Sequence, residues 1–150
     1  MSEAAVMVAV RVRPFNGREK AMNAARCIQM FGNTTEVYEE DVEEAEDDPR
    51  VFNFDFSLWS HFDFNTTPGG ENPDNPDRLN VDQQVAYDII GKKLLGFFWE
   101  GYDVCMFAYG QSGAGKSFSM TGTGPKCAQK WKGIIPRIAN DTFIKADEIA

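Results

Sequence analysis

Residues 110–117 decide the fold of this chain, and they read Gly110-Gln111-Ser112-Gly113-Ala114-Gly115-Lys116-Ser117. The spacing is that of a complete phosphate-binding loop (P-loop), in which glycines let successive backbone N–H groups turn inward around phosphates. Lys116 supplies a positive charge for the β- and γ-phosphates, and the Ser117 hydroxyl can ligate Mg²⁺. The octet therefore predicts that the chain binds a nucleoside triphosphate.

The segments on either side of the P-loop support this prediction. The apolar run 104–109 predicts a buried parallel strand, and a short helix is expected from Lys116 to about Met120, where residues 121–125 break it. Strand, glycine loop and helix N-terminus together form the context in which this motif binds an anion. The alternative is a flexible glycine turn with a solvated lysine, and the strand pattern argues against it.

Short strand patterns occupy the first half of the chain. They are expected at 4–12, 27–31, 34–38 and 51–56, with a Gly32-Asn33 turn joining the second and third. The last of them alternates with period two, which predicts a half-buried strand. Residues 65–80 collect Asn, Thr, Pro, Gly and Asp, which predicts an irregular surface loop and excludes a helix.

Two longer helices are expected in the second half. One runs from about Val81 to Gly101, with apolar residues on one face and with Asn80 and Gln83 as N-cap and N3 residues. The other starts near Pro136 and is still running at Ala150, which favours truncation of a longer chain. Strands mixed with helices indicate an α/β layered sheet in one domain or part of one. The tryptophans are interpreted as packing residues, at positions Trp59, Trp99 and Trp131.

Composition excludes several classes of protein. No apolar stretch approaches the roughly 18 residues that a membrane span requires, and the N-terminus lacks the pattern of a signal peptide. Three cysteines without a C-x-x-C spacing and one histidine, His61, argue against disulfide, zinc and histidine-based metal sites. A reducing cytosolic compartment is therefore expected.

The net charge of −8 is concentrated in one segment. Nine acids lie between Glu36 and Asp48, which leaves 14 acids against 15 bases in the rest of the chain. Such a block repels itself and usually forms a solvated loop, although a surface for a basic partner is the alternative. Nucleic-acid binding is not expected, since it favours a basic face.

Five segments in order resemble the kinesin motor domain. They cover nearly the whole chain and read VRVRPFN at 10–16, FNFD at 52–55, EGYDV at 100–104, FAYGQSGAGKS at 107–117 and GIIPR at 133–137. This resemblance implies a P-loop NTPase fold with a central, mostly parallel sheet flanked by helices. Three shorter segments resemble the third kinesin family of cargo transporters in particular: Asn33-Thr34-Thr35, residues 57–61 and Val104-Cys105.

The resemblance also implies roles for particular residues. In kinesins the adenine of ATP or ADP lies between the RxRP strand end and the residue after the P-loop, which here implies Arg11 and Pro14 on one side and Phe118 on the other. Arg13 is a further candidate for cofactor binding. A guanidinium and an aromatic ring can each stack on a purine. The alternatives are a solvated strand end for the arginines and a core aromatic for Phe118. His61 is interpreted as a structural or surface residue rather than a ligand.

Two features depart from the family pattern. The acidic segment should not help contact with tubulin, whose surface is also acidic, within a Debye length of about 8 Å. The second departure is the length, because a kinesin motor is about twice as long. Nothing here matches switch I (NxxSSRSH) or switch II (DLAGSE), and the microtubule-binding helix and neck linker belong to the missing half. Residues 1–150 are therefore expected to be a partial motor domain.

Three functions remain open. In the first, the chain is the ATP-binding part of a cytoplasmic microtubule motor ATPase, with Lys116 and Ser117 as catalytic residues and cargo undetermined. In the second, the chain is a non-catalytic half-domain. The isolated chain is then expected to hydrolyse ATP no faster than a Lys116→Ala variant, and the strand before the P-loop would expose unpaired edges. A small GTPase or nucleotide kinase is the third, disfavoured because the P-loop follows about 109 residues and no NKxD motif appears.

Overall fold

The computed structural model describes residues 6–61, 71–72, 75–123 and 129–149. Contacts divide the chain into two units, residues 1–80 and residues 81–150. The predicted α/β class is confirmed, since strands dominate the first unit and helices the second. Several sequence predictions lie partly outside the described residues, at Ala4, Ala5, residues 65–70, residues 73–74, Gly124, Pro125, Cys127 and Ala150.

A parallel strand pair forms the centre of the first unit. Strand β1 (Ala9–Val12) pairs in parallel with β5 (Phe56–Trp59), in a register that places Val10 opposite Ser57. Leu58 and Trp59 of β5 are buried together with Met30. The first strand is shorter than predicted, because residues 6–8 are described without strand pairing.

A three-stranded antiparallel sheet accompanies this pair, in the order β2-β3-β4. Its strands are β2 (Ile28–Phe31), β3 (Thr34–Val37) and β4 (Arg50–Asn53). The predicted Gly32-Asn33 turn is confirmed, and Gly32 adopts the left-handed conformation (φ 53°) that a tight hairpin requires. The prediction of one half-buried strand over 51–56 is wrong. Strand β4 lies at the sheet edge with all four residues exposed, and β5 starts only after Asp55.

The loop predicted for 65–80 is also corrected where the structure describes it. Strands β6 (Glu71–Asn72) and β7 (Asn75–Leu79) form a short antiparallel pair, and no helix occurs among the described residues of this segment. Proline is tolerated in such a strand because a two-stranded ribbon has two edges, where a missing N–H costs no ladder hydrogen bond. A composition rich in turn residues therefore did not exclude strand pairing.

Contacts within the first unit anchor the acidic segment. The Asp41 carboxylate accepts hydrogen bonds from the backbone N–H groups of Arg26 (2.9 Å) and Glu43 (3.0 Å), which lower the pKa of Asp41. Arg26 also pairs with Glu43, and Arg50 pairs with Glu39 at 3.0 Å. Glu36 lies in β3, and the acidic segment beyond that strand is a surface loop, as predicted, that is attached to the unit at several points.

Helix α1 (Gly17–Ala21) begins at a reciprocal capping box. The Asn16 side chain accepts from the backbone N–H of Glu19, whose carboxylate accepts from the backbone N–H of Asn16. The same carboxylate receives two bonds from the Arg13 guanidinium, at 2.7 and 2.6 Å. The Arg13 and Asn16 donors together lower the pKa of Glu19 from its usual 4.5 to about 2.

Three consecutive helical segments open the second unit: α2 (Gln83–Ala86), a π-helical turn (Tyr87–Gly91) and α3 (Lys92–Trp99). The predicted capping pair is wrong, since the N-cap is Asp82, whose side chain accepts from the backbone N–H of Val85 at 2.8 Å. Asn80 is buried in a bridge with Trp59 instead. The predicted end of this helix is confirmed, because Gly101 follows it with φ 92°.

The π-helical turn encloses a buried tyrosine. A Cβ at Gly91 would collide with the Tyr87 ring, so the absence of a side chain at 91 makes room for that ring. The Tyr87 hydroxyl donates to the Asp141 carboxylate. Burial, followed by this hydrogen bond, raises the pKa of Tyr87 well above its usual value, so the phenol stays protonated and remains a donor.

Two shorter elements and one long helix complete the second unit. Helix α4 (Lys116–Met120) has the predicted bounds, a 3₁₀ turn covers Gln129–Trp131, and α5 (Ile134–Ile149) begins two residues before Pro136. Pro136 therefore lies in the first turn, where its missing N–H costs nothing. Ile134 is buried, together with Val81, Ala86 and Tyr87.

A buried arginine ties these elements together. Arg137, 4 % exposed, donates to the carbonyls of Lys132 (2.9 Å) and Gln129 (2.8 Å) and to the Gln84 side chain. One guanidinium therefore joins α5, α2 and the 129–132 segment. A buried charge is tolerated here because several of its donors are satisfied.

The first prediction concerns Glu19. Since its pKa is lowered in the folded protein, the stability that it contributes is complete above pH 4.5 and disappears as the pH falls towards 2. We expect Glu19→Gln to lower the free energy of unfolding at pH 7, with a difference from wild type that shrinks between pH 5 and pH 2. Urea unfolding at several pH values measures this. Glu46→Gln, at an exposed position, is the control, and a difference independent of pH would contradict the prediction.

The second prediction concerns Arg137. Lysine keeps the charge but cannot reproduce the planar guanidinium donors, so Arg137→Lys loses hydrogen bonds that this buried side chain makes to the Lys132 and Gln129 carbonyls and to the Gln84 side chain. We expect a loss of about 3 kcal/mol in the free energy of unfolding. The exposed Arg18→Lys should change it by less than about 0.5 kcal/mol. Urea unfolding of both variants checks this, and equal losses would contradict it.

Candidate functional site

Glycines shape the P-loop as the sequence predicts. Gly113 and Gly115 have φ values of 81° and 95°, in the left-handed region that other residues rarely adopt, and Gly110 has φ 149°. A Cβ at Gly110 would lie 3.1 Å from the Ala114 Cβ, so a side chain there would crowd the loop. The backbone N–H of Ala114 donates to the Gln111 carbonyl at 3.2 Å and closes the turn.

Lys116 lies at the start of α4 with its side chain folded back over the loop. Its ammonium donates to the carbonyls of Gly110 (2.8 Å) and Gln111 (2.9 Å). The positive charge is therefore held beside the first residues of the P-loop. The structure brings all eight predicted loop residues into this one turn.

Helix α4 starts without a capping side chain. Its N-cap is Gly115, which has no side chain to accept from the first N–H groups of the helix. Ser117 is exposed on the first turn, and Ser112 is exposed in the loop. Because no side chain caps the first N–H groups of this helix, these donors fit an anion such as a phosphate group.

Phe118 lies on α4 between two other parts of the second unit. Its carbonyl accepts from the Gln83 side chain at 2.6 Å, and its ring centroid is 6.3 Å from that of Trp131 at an angle of 56°. Phe118 is half-buried. The sequence interpretation of Trp131 as a packing residue is consistent with this contact.

The segment before the P-loop differs from the prediction. No strand pairs with residues 104–109 in the part of the chain that the structure describes, and Phe107 and Tyr109 are 82 % and 96 % exposed. A strand exists only where a neighbour takes its backbone N–H and C=O groups, and an apolar run does not supply that neighbour. The predicted buried strand is therefore wrong within this chain. The exposure agrees with the expectation that this segment alone would present unpaired edges.

The other predicted nucleotide contacts lie in the first unit. Arg11, on β1, donates through Nε to the Ser60 hydroxyl at 2.8 Å. The Arg13 guanidinium forms the pair with Glu19 and also donates to the Pro14 carbonyl at 2.8 Å. These contacts hold the strand end in place. The nucleotide roles of Arg11, Arg13 and Pro14 stay predictions.

His61 lies beside the same strand end. Its Nδ1 is 3.2 Å from the Arg13 carbonyl, and its ring packs edge-on against Phe15 with centroids 4.6 Å apart. This is the structural position that the sequence interpretation gave it. Among the described residues, no group of three or more His, Cys, Asp or Glu side chains could hold a metal ion, and no helix is long and apolar enough to cross a membrane.

Sequence reasoning missed two residues near the site. Gln83 was interpreted as an N3 capping residue, and Arg137 entered only as part of a matching motif. Their partners lie far away in the sequence: Gln83 and Phe118 are 35 residues apart, and Arg137 and Gln84 are 53 residues apart. No local pattern signals such pairs.

Comparisons with known proteins place the chain in a family. The kinesin motor domain model matches residues 11–150. Kinesin-like protein KIF1C of Homo sapiens is 40 % identical over 148 residues, covering 99 % of this chain and 12 % of that protein. Kinesin-like protein unc-104 of Caenorhabditis elegans is 40 % identical over 143 residues, covering 95 % of this chain and 8 % of that protein.

Solved structures agree with these relatives. KIF14 with ADP in complex with a microtubule superimposes with a TM-score of 0.74 at 33 % identity, covering 98 % of this chain and 35 % of that one. The predicted fold and the resemblance to the third kinesin family are thereby confirmed, since the KIF1 proteins are members of it. The chain spans 12 % or less of these curated relatives. This chain belongs to the kinesin motor domain family.

Proposed function

We propose that this chain is the ATP-binding part of a kinesin-like microtubule motor, in which the full-length protein couples ATP hydrolysis to movement along microtubules. The observation that carries the proposal is the P-loop, where two left-handed glycines lead into an uncapped helix with Lys116 folded over the loop. Family membership supports the motor function, and KIF14, a structural relative, is in complex with a microtubule.

The P-loop residues would act on the triphosphate by electrostatics. Backbone N–H groups of the loop and the Lys116 ammonium are donors that can be directed at phosphate oxygens, which carry the charge in phosphoryl transfer. Ser117, exposed on the first turn of α4, is the residue that would hold Mg²⁺. Mg²⁺, when bound, neutralises phosphate charge.

We propose that Phe118 contacts the nucleotide base, and base contacts by Arg11, Arg13 and Pro14 stay predictions that the family resemblance implies. Phe118 is half-buried and lies directly after the P-loop, and Arg11, Arg13 and Pro14 lie at the end of β1 and just after it. Stacking of a purine on an aromatic ring or a guanidinium requires no particular hydrogen bonds.

We also propose that residues 1–150 form a partial motor domain that requires further strands. The support is the exposed segment 104–109, whose backbone and apolar side chains are available for pairing with additional chain. The same exposure favours the second candidate, a non-catalytic half-domain that binds nucleotide without hydrolysing it. On either proposal the protein acts in the cytoplasm at the microtubule cytoskeleton, and its cargo is a separate question.

The third prediction tests the motor function on the full-length protein. Lys116→Ala removes the charge that acts on the phosphates, so we expect microtubule-stimulated ATPase activity to fall at least about 100-fold. Steady-state ATPase assays with and without microtubules measure this. Lys20→Ala, an exposed lysine of α1, removes the same charge elsewhere and should leave the rate within about twofold.

Three further results would distinguish the candidates. The wild-type protein could bind ATP, lose that binding in Lys116→Ala, and yet show no increase in ATPase rate with microtubules. That result would contradict the motor function and support the non-catalytic half-domain. Equal ATPase rates for wild type and Lys116→Ala would contradict a catalytic P-loop. Stronger competition by GTP than by ATP would place the protein in a different class of P-loop NTPase.

A further inference from the structure

A single buried amide lies between the nucleotide-binding helix and the segment that faces it. Gln83, at the start of α2, is 2 % exposed, and its Nε2 donates to the Phe118 carbonyl at 2.6 Å. The same nitrogen is 3.5 Å from the Trp131 carbonyl, within reach of a weak second contact. One side chain therefore joins the backbones of two residues whose rings also face each other.

Close backbone contact holds those two segments together. Gly122 forms a β-bridge with Lys132, and a Cβ at Gly133 would lie 2.5 Å from the Met120 carbonyl group. A side chain at Gly133 would thus force the two backbones apart. The arrangement fixes Trp131 beside α4, and Arg137 holds the 129–132 segment from its other side.

The Phe118 ring is supported on one side by this arrangement. Its centroid lies 6.3 Å from that of Trp131, within the range in which aromatic pairs attract each other. The Lys130 ammonium lies 4.8 Å from the centroid of the same tryptophan ring. The Phe118 ring therefore has the Trp131 ring beside it, and the backbone position of Phe118 is held by Gln83.

From this geometry we propose that Gln83 and Trp131 are positioning residues for the nucleotide base, because they hold Phe118 in the orientation in which its ring can stack on a purine. The proposal rests on the proposed nucleotide site. In this proposal the P-loop binds the phosphates, and Gln83 and Trp131 affect only the binding of the base, through the orientation of Phe118. Neither residue is expected to contact the nucleotide.

The fourth prediction separates the base from the phosphates. Titration calorimetry on the full-length protein, with Mg²⁺ present, gives dissociation constants for ATP and for inorganic tripolyphosphate, which has no base. Gln83→Met keeps the side-chain length but loses the donor, so Phe118 occupies its binding orientation for less of the time. We expect ATP binding about tenfold weaker and tripolyphosphate binding within about twofold of wild type.

Matched variants complete the experiment. Gln129→Met makes the same change at an exposed glutamine of the same unit and should alter neither constant. Trp131→Ala should weaken ATP binding about threefold without changing tripolyphosphate binding, and Trp131→Phe, which keeps an aromatic ring, should restore most of the loss. If Gln83→Met fails to fold, the ATP and tripolyphosphate affinities of the two Trp131 variants test the proposal.

The possible results have distinct meanings. Equal weakening of ATP and tripolyphosphate would show that Gln83 supports the whole loop, and it would overturn the proposal. Unchanged binding of both ligands would overturn it as well. A wild-type protein that binds neither ligand would instead overturn the proposed nucleotide site, and this inference with it.

Discussion

The P-loop depends on how the far end of α4 is held. A helix of five residues is too short to be stable by its own hydrogen bonds, so it requires partners outside itself. The Ser117 carbonyl accepts from Thr121, through both its N–H and its hydroxyl, and the Phe118 carbonyl accepts from Gly122 and Gln83. These bonds fix the helix direction, and the helix direction fixes where its open N-terminus points.

Local chemistry explains what the sequence predicted correctly. The P-loop octet, the limits of α4 and the Gly32 hairpin each depend on residues next to one another in the chain. Glycine at a left-handed position and a glycine-rich segment after Met120 leave few alternatives for the backbone. The family resemblance rested on such local motifs, which is why it agreed with the relatives found by comparison.

Long-range partners explain what the sequence could not predict. The apolar run 104–109 satisfies the pattern of a strand, but a pattern cannot say which neighbour pairs with it. Strand β4 alternates correctly and is nevertheless exposed, because burial depends on what covers a face. Asn80 and Asp82 are both good capping residues, and the burial of Asn80 beside β5 decides between them. The Gln83 amide donates to the Phe118 carbonyl, which lies 35 residues away in the sequence.

The folded-back position of Lys116 has a consequence for binding. A free lysine side chain loses up to about 2 kcal/mol of conformational entropy when it is fixed. Here two loop carbonyls already fix the ammonium. In the proposed nucleotide site, an incoming phosphate would replace those neutral carbonyl acceptors by charged oxygens, and the Lys116 side chain would lose little further conformational freedom. Such preorganisation raises affinity without adding a contact, and the loop itself supplies it.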